Sequence, residues 1–270
     1  MSLSQDPSFS LLKNYFVCGY RDITNEPYAG ISGRHETAGN AVDTTNGAGP
    51  HNIQMFFLSA DGTVLNVLPG YWHSQDLASE MNLAAKLNKV WLDPHLSRSQ
   101  KDQMFAQMQL EHISEHSPAM RRRSRMQSFD MQYEAKNRLN TSDTIADRQA
   151  VYAALQSGSK KMPPQAFKTT DEIMHERMAR HPFEQYGEFN VAAFADYGKP
   201  KYDKHEDYRD ASGMIDKMAA RNAPLLGSPE AIDKAEPGAR RRMMRMQQQY
   251  TPGQWGNGGS AGTLWGQSSQ

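Results

Sequence analysis

Five consecutive residues, His112-Ile113-Ser114-Glu115-His116, have the most chemically capable spacing in the chain. On a helix, residues four apart share a face, so both imidazoles could bind one zinc ion with Glu115 beside them as a base. Metallopeptidases built this way take a third ligand from far downstream and need a larger, two-lobed fold. Glu184 and Glu188 qualify here only by being glutamates. Helix signals also stop just after His116, where a terminus frays. The motif is therefore read as a solvated helix face, and no metal site, cofactor or catalytic residue is expected.

Other reactive side chains are scattered. Residues 23–51 are dense in Gly, Asn, Thr and Pro and read as a long loop. Its capable members are Arg34, His35, Glu36 and Asp43, with His51 at its end. His35, Glu36 and His51 lack a third fixed partner, so they are read as solvated. The sole cysteine, Cys18, falls in mid-strand and is read as a small buried hydrophobe; a lone reactive thiol is the alternative.

Two basic clusters resemble each other: Arg121, Arg122, Arg123 and Arg125 follow Pro118, and Arg240, Arg241 and Arg242 follow Pro237. Neither is interleaved with aromatics that stack on bases, and acidic residues flank both. Nucleic acid is therefore disfavoured against a solvated face or an acidic protein partner. Trp255 and Trp265 stand in a low-complexity tail, either as anchors for a partner or as incidental aromatics.

These residues need elements to position them. The 270 residues include 30 basic and 30 acidic ones, so no net field draws the chain to nucleic acid or membrane. A single cysteine excludes an internal disulfide and a Cys-rich zinc site. No run approaches the roughly 20 apolar residues of a membrane span. MSLSQDPSF lacks the basic and apolar regions of a signal peptide. A start at Met1 implies the cytoplasm and an upstream leader implies export, so the compartment is unknown. Only 38% of residues are hydrophobic, and they thin out beyond residue 100. One compact α/β domain with a long, loosely packed extension is expected.

Ile53–Ser59 and Thr63–Leu68 read as two strands around the turn Ala60-Asp61-Gly62. After Pro69-Gly70 the period changes to 3.6, and Leu77, Met81, Ala84, Ala85 and Trp91 form an apolar stripe. Asp6-Pro7 opens a helix with Phe9, Leu11 and Leu12, and Tyr15–Asp22 reads as a strand. Phe-Phe-Leu-Ser-Ala-Asp-Gly-Thr-Val-Leu, then Leu-Pro-Gly-Tyr and an amphipathic helix, resembles the second half of a thioredoxin-like domain. Residues 5–22 resemble the segment after that superfamily's redox motif. The resemblance implies a degenerate thioredoxin-like fold over residues 1–93. The Cys-x-x-Cys is missing and the nearest proline, Pro50, precedes the cis-proline position, so no catalytic residue is carried over.

Beyond Asp93-Pro94, Ser97 and Gln100 form a capping box for a helix to about His116, with Met104, Phe105, Met108 and His112 on one face. A second helix, Ala119 to about Leu139, completes a helical hairpin over residues 94–140. Residues 141–270 read as an extended arm with short helices, Asp143–Leu155, Thr170–Arg180, Asp210–Ala220 and Glu230–Ala235, and a low-complexity tail. The expected function is non-catalytic: a thioredoxin-like scaffold or accessory subunit, redox-inactive, whose arm docks on other protein subunits. The alternative is a thiol-disulfide oxidoreductase whose redox motif lies upstream.

Overall fold

Asp61-Gly62 makes the turn that its sequence promises. In the computed structural model, which describes residues 2–23, Glu26, Tyr28, Ala29 and 44–200, Gly62 takes φ +86°, a conformation that L side chains resist. Strands β1 (Gln54–Leu58) and β2 (Val64–Pro69) pair antiparallel around it, with Met55 opposite Leu68 and a register shift at Phe57/Leu58. Every residue of β2 is buried, so both faces of that strand are covered. Gly70 follows at φ +75°, where a Cβ would stand 2.5 Å from the Ala48 carbonyl oxygen.

Around the hairpin the fold is mixed but mostly helical. The helices are α1 (Ser8–Tyr15), α2 (Ser74–Leu92), α3 (Arg98–Glu115), α4 (Pro118–Arg123), α5 (Ser128–Asn137), α6 (Arg148–Gln156), α7 (Thr170–Met178) and α8 (Val191–Phe194). Helix α2 lies against β2, α1 and α3; α3 also lies against α7, and α7 against β2. Capping boxes at Ser97/Gln100 and Thr169/Glu172 start α3 and α7 by pairing amides that would otherwise lack partners. None of the described helices is long and apolar enough to cross a membrane.

The main core runs through residue 93 without a break. Leu68, Trp72, Leu77, Met81 and Leu87 pack with Phe105 of α3, Met174 and Met178 of α7, and Phe183. A second cluster joins Met131, Val151, Phe167, Ile173 and Tyr197.

Three sequence expectations are corrected. Residues 16–23 form no strand, and Cys18 and Val17 are exposed instead of buried; no described strand runs beside them to pair their amides. Ala85, placed on the α2 stripe, is exposed, while Leu83 and Leu87 take up the buried face. The helix expected over 119–139 is two helices. The Arg123 carbonyl accepts from Asn46 N and the Ser124 carbonyl from Thr170 N, both at 2.8 Å. Those carbonyls are thus spent on other segments, and Gln127 turns extended before α5 begins. The expected helices at 210–220 and 230–235 lie outside the described residues, as do Arg34, His35, Glu36, Asp43, Arg240, Arg241, Arg242, Trp255 and Trp265.

Candidate metal centre

Three helices each bring a polar side chain to a position on their apolar face. On α3 the buried face is Phe105, Gln109 and His112, continued by the cap residue His116, a spacing of four, three and four. On α2, Glu80 lies among the buried Leu77, Met81 and Ala84. On α7, Asp171 and His175 are one turn apart and fully buried. Packing these faces together puts Glu80, His112, His116 and His175 in one cluster, with one ligand atom from each within 4.8 Å of the others.

All three imidazoles turn the same edge inward. Nε2 of His112, His116 and His175 lies 3.4, 3.5 and 3.3 Å from Glu80 Oε1. The rings are mutually inclined by 84°, 75° and 51°, so they surround a point and do not stack. Nε2 of His112 and His116 has no hydrogen-bond partner although both atoms are buried. A buried polar atom without a partner is costly, and two aimed at one carboxylate oxygen make a donor set that could hold a cation.

The outward edges are held. His116 Nδ1 donates to Asp171 Oδ2 at 2.7 Å, and His175 Nδ1 to Gln109 Oε1 at 2.6 Å. Glu115, itself exposed, approaches His112 Nδ1 at 3.6 Å. Asn66 of β2 donates from Nδ2 to Glu80 Oε2 at 2.9 Å, leaving Oε1 for the centre. A ring that donates from Nδ1 presents a lone pair at Nε2 when neutral, which is the tautomer a metal takes. His116 and His175 meet that condition, and His175 Nε2 also lies within hydrogen-bond distance of Glu80 Oε1 at 3.3 Å, so the inward edge of the cluster needs either a shared proton or a cation beside the carboxylate.

The charges point the same way. Burial would raise the Glu80 pKa, but His175, His112 and His116 hold it well below the usual carboxylate range. Burial would lower that of His116, yet Asp171 and Glu80 raise it to about 9. Burial lowers the pKa of His175 against the pull of Glu80. Two carboxylates with almost no exposure, Glu80 and Asp171, therefore need positive charge close by. A protonated His116 supplies that charge in the bare cluster; a divalent ion held among neutral imidazoles would supply it instead.

The expected solvated face at His112–His116 is thus overturned: both histidines are buried. Fraying is prevented because Arg121 Nη2 donates to the Ile113 and Ser114 carbonyls, and Ser117 caps α4 immediately afterwards. Glu115 stands outside the cluster instead of serving as a base within it. Glu184 pairs with His181 at 2.8 Å, and Glu188 is exposed. His51 is a separate buried residue with Nδ1 3.2 Å from the Tyr28 carbonyl. Among the basic residues, Arg123 turns inward to Asp76, while Arg121, Arg122 and Arg125 line a groove of about 670 Å³ with Lys168.

Sequence reasoning missed Glu80 and His175 because each belongs to a different helix. The available signal was a polar residue inside an apolar stripe, repeated on α2, α3 and α7. No protein-family model, curated protein sequence or solved structure matches the chain.

Proposed function

We propose that this chain is a metal-binding protein, with one divalent transition-metal ion held by Glu80, His112, His116 and His175. The observation that carries this reading is the convergence of three buried Nε2 atoms on one carboxylate oxygen at 3.3–3.5 Å. Imidazole and carboxylate suit zinc, iron, copper or nickel better than magnesium or calcium, which prefer all-oxygen shells. Outside the centre, the protein works by binding, as a thioredoxin-like accessory or scaffold subunit. Support for this comes from the succession of α1, the hairpin and α2, which keeps the implied order without its strand at 15–22. The groove beside Arg121, Arg122, Arg125 and Lys168 offers a surface for an acidic protein partner.

Elemental analysis of the full chain, isolated from its native host without chelator, tests the metal reading. The wild type is expected to carry close to one equivalent of a transition metal, and His175→Ala a small fraction of that. Equal metal content in the two proteins would end the assignment.

A further inference from the structure

The donor set and its surroundings narrow the choice of ion and of role. We infer that the ion is zinc, held by all four side chains as a closed tetrahedral centre that clamps α2, α3 and α7 together and leaves no position for substrate. This rests on the metal-binding reading above and names the ion and its task.

Geometry comes first. Zinc bonds of about 2.0–2.1 Å in a tetrahedron give ligand-to-ligand edges of roughly 3.3–3.4 Å. The three edges from Glu80 Oε1 measure 3.3, 3.4 and 3.5 Å, while the nitrogens, within 4.8 Å of one another, would draw closer together around the ion. Asn66 occupies Glu80 Oε2, so the carboxylate offers one oxygen and not a bidentate pair. Three nitrogens and one oxygen then complete four-coordination.

Access comes second. The four ligand side chains are between 0% and 8% exposed. Iron(II) and manganese(II) sites are commonly six-coordinate with open or water-filled positions, and catalytic zinc keeps one position for water. Here the fourth position belongs to Glu80, and the layer beyond the ligands is made of Asn66, Gln109 and Asp171, each tied to a ligand. Charge agrees: two positive charges meet one on Glu80 and one on Asp171, leaving a neutral buried assembly.

The consequence is mechanical. His112 and His116 end α3, Glu80 lies in mid-α2, and His175 in mid-α7. One ion therefore fixes the exit of α3, the point from which the chain turns at Ser117-Pro118 into α4.

The test is X-ray absorption at the metal edge of the full chain as isolated, joined to limited proteolysis before and after chelation. Zinc with four nitrogen or oxygen neighbours near 2.0–2.1 Å is expected. Chelation is expected to speed cleavage near 116–118 at least about tenfold, with added zinc restoring resistance. Iron or manganese, or zinc with five or six neighbours including water, would overturn the closed zinc clamp while leaving metal binding intact. Unchanged proteolysis after zinc removal would overturn the clamp role alone. Absence of bound metal in the isolated and the zinc-treated chain would remove both this inference and the reading beneath it.

Discussion

His116 Nδ1 and Asp171 Oδ2 stand 2.7 Å apart with both side chains about 1% exposed. A carboxylate can only accept, so Nδ1 carries a proton, and in the neutral ring Nε2 is left to face Glu80 with its lone pair. This single contact fixes the tautomer of His116 and ties the end of α3 to the first turn of α7. Replacing Asp171 by Asn keeps the shape and removes the charge. Zinc affinity, measured by competition with a chromophoric chelator, is expected to fall about 10–100-fold. Wild-type affinity in Asp171→Asn would mean that the contact is structural only.

Removal of the ion is expected to destabilise the fold. An ion present at 100 times its dissociation constant stabilises by about 2.7 kcal/mol. For a domain of this size that corresponds to roughly 5–11 °C in melting temperature. Scanning calorimetry with and without chelator measures it, and coincident melting curves would contradict the account.

Arg123 belongs to the fold. Its Nε and Nη2 donate to Asp76 Oδ2 and Oδ1 at 2.7 and 2.5 Å, and Asn46 Nδ2 donates to Asp76 Oδ2 at 2.8 Å. Asp76 is buried, so Arg123→Ala strands its charge. A loss of about 2–3 kcal/mol is expected in denaturant unfolding. Arg122→Ala, at an exposed position, is expected to stay within about 0.5 kcal/mol of wild type. Equal effects of the two substitutions would refute the distinction.

Acid acts on a different pair. Burial would raise the Asp143 pKa, but Arg177 and then Arg180 lower it to about 2 from an ordinary 3.8. Because the folded value is depressed, Asp143 contributes stability in full above pH 3.8 and loses it as the pH falls toward 2. Asp143→Asn is expected to be less stable than wild type at pH 5, with the gap narrowing at pH 2.5. Asp143 is 39% exposed, so solvent screening keeps the effect modest. A gap that stays constant with pH would exclude the carboxylate as its cause.

Cys18 is exposed and is expected to react with a small alkylating reagent in the native state about as fast as in denaturant. Protection that disappears only on unfolding would place it in a core.

The hairpin was legible because Asp61-Gly62 lies between two apolar runs, and α3 because Ser97 and Gln100 announce its start. Local chemistry determines both. The strand expected at 15–22 failed for lack of a partner, which no local pattern reveals. The break at Ser124 is equally tertiary, since Asn46 and Thr170 claim the carbonyls that a longer helix would have used. The centre was half legible. His112 and His116 have the spacing of a ligand pair, but the apolar stripe of the sequence passes through Met104, which is 37% exposed, and leaves out the polar Gln109, which is buried. With Gln109 in the stripe, His116 falls on the same buried face as His112. Their remaining partners sit on α2 and α7, where each appears alone among Leu77 and Met81, or among Met174 and Met178.

Calorimetric titration of the chelator-treated full chain with zinc tests the central claim most directly. One equivalent binding tightly to the wild type, with binding lost in the His112→Ala/His175→Ala double variant, is the predicted result. Zinc binding of unchanged stoichiometry and affinity in that variant, or none in the wild type, would contradict a metal centre built from Glu80, His112, His116 and His175.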